Sequence, residues 1–273
     1  PCSMKAKIYS GEGFDWQFEC QNPVTLWIDT FDGFPGFHGK KVFVAMEPFE
    51  ISKLRQRIID HASRFDIILT YDTSLLQTLK NAHLLTFGTS WIRDYTFPEK
   101  EFGVSMVCGE KNQTDGHWLR HQLWDLQNKI TIPHRFFISG RGQSLGWKLR
   151  SWWRKRQGTP VLGESKTPLF DSQFHLAIEN TKTPHYFSEK LIDAFITKTI
   201  PIYWGCPNID RYFNPDGIIS VQSAPDAIAQ INALTPEDYL RRRAAIEDNY
   251  TRALPFVDYP SRLENRLREL SIL

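Results

Sequence analysis

Apolar runs of strand length alternate along this chain with segments whose apolar residues have helical spacing. The strands predicted from the apolar runs are 6–9, 24–28, 42–46, 65–70, 102–108, 136–138, 174–178 and 200–204. The predicted helices are 51–64, 74–80, 116–128, 188–198, 223–234, 235–250 and 261–270. Because a strand, a helix and a second strand of these lengths form a crossover unit, the pattern predicts an α/β fold with parallel strands.

A polar, proline-containing segment divides this pattern into two halves. Residues 93–101 read RDYTFPEKE, which is typical of a linker between domains. We therefore predict a first domain at 1–99 and a second at 100–258, each a Rossmann-like α/β unit. No GxGxxG motif follows the first strand, which argues against a dinucleotide-dependent dehydrogenase.

The second half contains a stretch, Phe174–Val221, in which polar groups meet the start of a helix. Its first strand ends at Glu179 and Asn180, and Ser188 is a suitable N-cap for the helix that follows. A helix N-terminus attracts anions, so Lys190 in the first turn could hold a phosphate and Glu189 the hydroxyls of a ribose. A capped helix with a solvated charge pair explains the same residues, and their spacing alone does not decide between the two interpretations.

A second candidate carboxylate lies in the first half. Glu47 follows the apolar run 42–46 and precedes Pro48, at the carboxyl end of a predicted strand. Ligands bind at this end of the strands in open α/β sheets, so Glu47 could act as a general base on a sugar hydroxyl. An ordinary strand-end carboxylate that binds nearby N–H groups is the alternative.

Two further features have both a chemical and an ordinary explanation. His117 and His121 have the i, i+4 spacing of a metal-binding pair, but no HExxH motif and no third ligand accompany them, so we expect no metal. The segment 149–159, LRSWWRKRQGT, is basic and aromatic. Three interpretations of this segment stay open: an amphipathic surface loop whose tryptophans pack inward, a peripheral membrane contact, and a contact with single-stranded nucleic acid.

Composition narrows the function classes. The formal net charge of +2 over 273 residues gives no overall field for nucleic acid, and we expect no nucleic-acid partner. There is no run of about 18 apolar residues and no secretory signal, so we expect a cytoplasmic protein. The four cysteines, Cys2, Cys20, Cys108 and Cys206, show no CxxC spacing and are interpreted as free thiols.

The stretch Phe174–Val221 resembles the donor-binding signature of glycosyltransferase family 10, the α-1,3/4-fucosyltransferases. The matching residues occur in the family's order: Ile178-Glu179-Asn180, Tyr186, Ser188-Glu189-Lys190, and Ile200 to Pro207 in IPIYWGCP. The resemblance is dense here and thins outside this stretch. It extends more weakly to Val44-Ala45-Met46-Glu47-Pro48, where the family has a strand followed by its catalytic Glu.

The resemblance implies a GT-B-like architecture, with two Rossmann-like domains separated by a cleft and a C-terminal helix, 259–273, that packs back on the first domain. It implies inverting transfer of L-fucose from GDP-fucose to a glycan hydroxyl, without a metal or another cofactor. Its partners would be the GDP-sugar donor and an oligosaccharide acceptor.

The resemblance also assigns a role to each site residue. Glu47 would be the base, and Glu189 would bind the ribose. The diphosphate would be held by the remaining four residues: Arg120, Asn180, Tyr186 and Lys190. Lys111 is the second choice for the arginine's role. Two alternatives remain open: the same fold with a different nucleotide-sugar, and a non-catalytic glycan-binding relative.

Overall fold

A computed structural model describes residues 4–11, 13–34, 39–92, 94–140, 144–156 and 158–273. The side chains of 150, 151 and 153–156 lie outside this description. The strands are β1 Met4–Lys5, β2 Lys7–Ser10, β3 Glu19–Cys20, β4 Val24–Ile28, β5 Lys40–Val44, β6 Ile67–Thr70, β7 Ala82–Leu84, β8 Glu101–Cys108, β9 His134–Ser139, β10 Val161–Leu162, β11 Ser172–Ile178, β12 Ile200–Trp204 and β13 Ile219–Ser220. The α-helices are α1 Phe49–Ser52, α2 Arg55–His61, α3 Thr73–Thr78, α4 Asp115–Asp125, α5 Leu145–Arg156, α6 Glu189–Ile196, α7 Ala224–Asn232, α8 Pro236–Arg241, α9 Arg243–Ala253 and α10 Tyr259–Glu269.

The chain divides into two compact units. The first consists of Pro1–Phe87, Thr183–Tyr186 and Asp258–Leu273, and the second of Gly88–Lys182 and Phe187–Val257. Each unit contains a parallel sheet flanked by helices, so the predicted α/β class with parallel strands is confirmed. Among the described residues, no helix is both long and apolar enough to cross a bilayer.

The sheet of the first unit runs in chain order, β2-β4-β5-β6-β7, with every neighbouring pair parallel. Because right-handed crossovers that all step the same way lie on one face, α2 and α3 cover the face that carries Trp27 and Phe43. The opposite face is covered by α10, whose Leu263 and Leu267 pack among the strand residues on that side. The C-terminal helix therefore closes the core of this unit.

One predicted helix of the first unit, 51–64, is wrong as a continuous element. The chain instead forms α1, α2 and a 3-10 turn at Ala62–Arg64. The break lies at Lys53, which has a left-handed backbone conformation with φ of 58° and donates its N–H to the carbonyl of Phe49. The apolar spacing continues across this break, which explains why periodicity alone does not reveal it.

The sheet of the second unit has the order β10-β9-β8-β11-β12-β13, with all strands parallel. The order reverses between β8 and β11, as in doubly wound nucleotide-binding folds. Helices α4 and α7 pack on one face and α6 on the other, so apolar cores lie on both sides. Strands buried on both faces explain the continuous apolar runs in the sequence.

The segment 149–159 is not a surface loop. Its first part belongs to α5, which begins at Leu145, whereas residue 157 lies outside the described part of the chain. Of the cysteines, Cys20, Cys108 and Cys206 are buried thiols, and Cys2 is not among the described residues.

Candidate functional site

A pocket of about 470 Å3 opens in the second unit where the strand order reverses. Its walls come from the carboxyl ends of β8 to β11 and from the first turns of α4 and α6. The charged side chains that line it are Glu110, Lys111, Arg120, Glu164, Lys166, Glu189 and Lys190. Of the predicted site residues, the pocket brings Arg120 of α4 together with the consecutive residues Glu189 and Lys190 of α6.

Helix α4 begins directly against the end of β11, and Gly116 makes this approach feasible. The N–H of Gly116 donates a hydrogen bond of 3.1 Å to the carbonyl of Asn180. A Cβ atom added at Gly116 would lie 1.7 Å from the carbonyl oxygen of Glu179. Only glycine fits here, and this places the N-terminus of α4 beside that of α6 at the pocket.

Arg120 crosses from α4 to the last residues of β11. Its Nη1 donates to the carbonyl of Ile178 at 2.5 Å, and its Nη2 donates to Oδ1 of Asn180 at 3.1 Å. A guanidinium carries five N–H donors in a fixed plane, so these bonds set its orientation at the pocket wall. The structure therefore places the predicted residues Arg120 and Asn180 in direct contact.

Glu179 organises the start of α6 from a completely buried position. Its Oε1 accepts the backbone N–H of Ser188 at 2.8 Å, and its Oε2 accepts the hydroxyl of Ser188 at 2.6 Å. Gly205 provides the space, since a Cβ atom there would lie 2.5 Å from Cγ of Glu179. Burial raises the pKa of Glu179, with the nearby Lys190 acting in the opposite direction.

The ammonium group of Lys190 is shared among three oxygens. Its Nζ lies 3.1 Å from Oγ of Ser188, 3.2 Å from Oε1 of Glu189 and 3.8 Å from Oε2 of Glu179. The side chain is about a quarter exposed, with 24% of its surface accessible. Lys190 is thus held in place while still reaching the pocket.

A second lysine, Lys166, also binds Oε1 of Glu189, at 3.2 Å. Burial alone would raise the pKa of Glu189, but the ammonium groups of Lys190 and Lys166 outweigh it and hold this pKa well below its usual range. Glu189 is therefore ionised at neutral pH. Sequence reasoning did not find Lys166, because it lies in an irregular segment whose residues show no periodicity or motif.

Asp193 is a buried carboxylate near Lys166, and the sequence analysis did not predict its role. Oδ1 of Asp193 accepts the hydroxyl of Ser90 at 2.7 Å and the backbone N–H of Trp91 at 3.0 Å. The ring of Trp91 lines the pocket, and Nζ of Lys166 lies 3.7 Å from the centroid of this ring. Burial raises the pKa of Asp193 to about 6, although Lys166 opposes the shift. Asp193 thus fixes the backbone that positions Trp91, and its i, i+4 spacing from Glu189 was the one available signal.

The two histidines of α4 have separate partners. Nδ1 of His117 lies 2.7 Å from the hydroxyl of Thr114, while Nε2 of His121 lies 3.1 Å from the carbonyl of Lys111. Burial, followed by the charge of Arg120, lowers the pKa of His117 to about 3. His117 is therefore neutral at physiological pH and lines the pocket beside Arg120.

Glu47 belongs to the first unit, where its backbone is held from both sides. Its N–H donates to Oδ2 of Asp29 at 2.9 Å, and its carbonyl accepts the hydroxyl of Tyr71 at 3.0 Å. Asp29 has a φ of 48°, a left-handed conformation that Asp tolerates better than most residues. Asp29 and Tyr71 therefore fix the position of Glu47, and both follow strands, β4 and β6, that the apolar pattern had predicted.

Tyr186 also belongs to the first unit and does not line the pocket of the second. Its side chain is buried, with its ring centroid 5.0 Å from that of Tyr71 and 6.4 Å from that of Phe87. The predicted role of Tyr186 in holding a diphosphate stays a prediction.

Comparison with known proteins bears on the segment that contains α6, β11 and β12. Residues 158–242 match the family model described as glycosyltransferase family 10 (fucosyltransferase) C-term. The predicted resemblance to glycosyltransferase family 10 is confirmed. A 130-residue segment is 47% identical to the alpha-(1,3)-fucosyltransferase FucT of Helicobacter pylori, covering 48% of this chain and 23% of that protein. A 102-residue segment is 32% identical to an alpha-(1,4)-fucosyltransferase of Arabidopsis thaliana, covering 33% of this chain and 25% of that protein.

Solved structures with the same fold cover more of the chain. The structure of Anabaena Alr3699/HepE in complex with UDP and glucose matches with a TM-score of 0.60 and 11% identity, covering 86% of this chain and 72% of that one. TarM matches with a TM-score of 0.58 and 14% identity, covering 89% and 54%. These neighbours are GT-B glycosyltransferases, so the predicted GT-B-like fold class is confirmed. Most of the family 10 segment belongs to the second unit, while its residues Thr183–Tyr186 belong to the first.

Proposed function

We propose that this chain is an inverting glycosyltransferase that transfers L-fucose from GDP-fucose to a hydroxyl group of a glycan. One observation carries the proposal. Arg120, Glu189 and Lys190 line a single pocket at the strand-order reversal of the second unit, within a fold shared with glycosyltransferases. Open α/β sheets bind nucleotides at this position.

The diphosphate of the donor would lie between the N-termini of α4 and α6. Two helix N-termini supply backbone N–H groups and positive dipole ends, and Arg120 and Lys190 add full charges. Their side chains are already oriented by Asn180, Ile178 and Ser188, so little reorganisation is needed as charge develops on the leaving group. This arrangement supports transfer chemistry that needs no metal or other cofactor.

The ribose would bind to Glu189. An ionised carboxylate is an acceptor only and can take hydrogen bonds from two neighbouring hydroxyl groups, and the low pKa of Glu189 keeps it in this form. The ammonium groups of Lys166 and Lys190 bind the same oxygen of this carboxylate, Oε1. Oε2 is the atom that would accept the ribose hydroxyls.

The choice of GDP and fucose rests on the relatives and not on the fold. A 130-residue segment of this chain is 47% identical to a fucosyltransferase, whereas a structural neighbour with the same fold was crystallised with UDP and glucose. The acceptor would be an oligosaccharide, and Glu47 would remove the proton from its attacking hydroxyl. Attack opposite the leaving diphosphate inverts the configuration at the sugar carbon.

Nucleotide-induced thermal stabilisation tests the donor class. GDP is expected to raise the melting temperature of the whole chain, and UDP and CMP are expected to leave it unchanged. The Lys190→Ala variant should lose this shift, and Lys182→Ala, an exposed lysine of the same unit, should retain it. Stabilisation by UDP instead of GDP would establish the same fold with another nucleotide-sugar. No stabilisation by any nucleotide would favour a non-catalytic glycan-binding relative.

Product analysis tests the sugar and the stereochemistry. Incubation with GDP-fucose or GDP-mannose and a panel of oligosaccharides should yield a product from GDP-fucose only. The anomeric proton coupling of the product, measured by NMR, should report a configuration opposite to that of the donor. A product with retained configuration would overturn the inverting mechanism and the role of Glu47 as base.

A further inference from the structure

Helix α5 exposes a stripe of large apolar side chains along one side. Leu145, Leu149 and Trp152 are 74%, 57% and 52% exposed. At about 100° per residue, these three positions fall within an arc of roughly 60°. A helix at the surface of a globular unit normally presents polar residues to solvent. This exposed apolar stripe therefore indicates a binding surface.

The opposite side of α5 is attached to the second unit. Trp147 is buried in the core, and its indole N–H lies 3.3 Å from the carbonyl of Ser139, which it hydrogen-bonds. The backbone N–H of Trp147 donates to Oγ of Ser144 at 3.2 Å. Position 147 lies about 170° around the helix from the middle of the stripe. The core therefore already occupies one face of the helix, and the exposed stripe is a second apolar face.

The charge of the α5 sequence indicates which kind of surface this second apolar face would contact. The sequence of α5, LGWKLRSWWRKR, contains Lys148, Arg150, Arg154, Lys155 and Arg156 and no acidic residue. The whole chain has a net charge of only +2, so positive charge is concentrated on this helix. A basic helix with leucine and tryptophan on an exposed face is the type that lies in the interface of an anionic bilayer.

We propose that α5 docks the second unit on the surface of an anionic lipid bilayer. Leu145, Leu149 and Trp152 would enter the boundary between headgroups and acyl chains, while the net positive charge of the α5 sequence attracts the anionic headgroups. A single-stranded nucleic acid would complement the charge, but it offers no aliphatic surface for the two leucines. The proposal rests on the geometry of α5 and is independent of the donor that the pocket binds.

Vesicle sedimentation with the full chain tests this docking surface. The protein should sediment with vesicles of phosphatidylcholine and phosphatidylserine, and not with phosphatidylcholine alone, and raising the salt concentration should weaken the binding. The variant Leu145→Gln/Leu149→Gln/Trp152→Gln should bind the anionic vesicles at least about tenfold more weakly. The control Leu240→Gln/Leu254→Gln, which changes two exposed leucines elsewhere in the same unit, should bind like the unchanged chain.

Three results would overturn the proposal. The first is failure of the unchanged chain to bind anionic vesicles. The second is a triple variant that keeps the melting temperature of the unchanged chain and binds anionic vesicles equally well. The third is an unchanged chain that binds oligo(dT) or dimerises with rising concentration but does not bind vesicles, when the triple variant has lost the oligo(dT) binding or the dimerisation. Nucleotide-induced stabilisation, measured on the same samples, shows separately whether the donor pocket functions.

Discussion

Two carboxylates near the start of α6, Glu179 after β11 and Glu189 in the first turn, have pKa values that their surroundings move in opposite directions. Burial raises the pKa of Glu179, whose two oxygens bind Ser188. Glu189 is also buried, yet the ammonium groups of Lys190 and Lys166 lower its pKa. The first carboxylate therefore orders the loop before the helix, and the second is kept charged toward the pocket. This division of roles depends on Lys190, which contacts both.

Removal of the Lys190 ammonium is expected to lower turnover by at least about a hundredfold, because preorganised charge at the leaving group is lost. Steady-state rates of Lys190→Ala at saturating GDP-fucose would measure the effect, with circular dichroism to verify folding. Lys182→Ala is the matched control, since this exposed lysine belongs to the same unit and its ammonium donates to Gln222. Near-normal turnover in a folded Lys190→Ala protein would contradict the assignment.

A second prediction concerns the contribution of Asp193 to the free energy of unfolding. Its pKa in the folded protein is about 6, above the ordinary 3.8, so its contribution to stability is fully present below about pH 3.8 and is lost as the pH rises through about 6. The difference corresponds to on the order of 3 kcal/mol. In Asp193→Asn, which cannot ionise, this loss is absent, and its free energy of unfolding should therefore rise relative to the unchanged chain between pH 4 and pH 7.

Urea denaturation at several pH values measures this difference. Ser90→Ala provides a second variant, because it removes the hydroxyl that donates to Asp193 and should raise the pKa of this carboxyl further. If the free energy of unfolding changes with pH in the same way for the unchanged chain and for Asp193→Asn between pH 4 and pH 7, then Asp193 does not titrate in this range.

At the scale of elements, the site depends on two helices that begin against the end of β11. The sequence predicts α6 well, because Ser188 is a good N-cap and the apolar spacing that follows it is regular. It predicts the strands β4 and β12 with their observed bounds. It does not predict that Gly116 brings α4 within contact of Glu179, because close approach between elements distant in sequence leaves no local pattern.

The same limitation explains why two predictions of secondary structure were wrong. The break at Lys53 and the helical state of α5 both depend on backbone conformation and packing, which apolar periodicity does not encode. Lys166, Trp91 and Asp193 were missed for a related reason. Each acts through a partner far away in the chain, and none of them belongs to a recognisable motif.

Gly116→Ala tests the close approach of α4. The added methyl group would clash with the carbonyl of Glu179, which must move the helix or the strand at a cost on the order of 1–3 kcal/mol. The melting temperature should fall, and GDP should bind more weakly because Arg120 moves with the helix. Gly146→Ala in α5 is the control, since nothing lies within 4 Å of its added Cβ, and it should be neutral or slightly stabilising. Equal melting temperatures for the two variants would contradict the packing argument.

At the scale of the whole molecule, the two units use parallel sheets with different strand orders. The described strands of the first unit's five-stranded sheet run in chain order, and those of the second reverse between β8 and β11. A pocket with two helix N-termini arises only from the reversal. We therefore expect nucleotide binding to be a property of the second unit, while Glu47 in the first unit serves the acceptor.

Glu47→Gln separates these two roles. Without a carboxylate to accept the hydroxyl proton, the transfer rate should fall by about a hundredfold or more, because general base catalysis contributes a factor of this size. The dissociation constant for GDP, measured by calorimetry, should be unchanged, since Arg120, Glu189 and Lys190 remain in place. Glu50→Gln is the matched control, an exposed carboxylate three residues away, and it should keep both activities. Loss of GDP binding in Glu47→Gln would assign Glu47 to the donor, and normal transfer would assign the base to another residue.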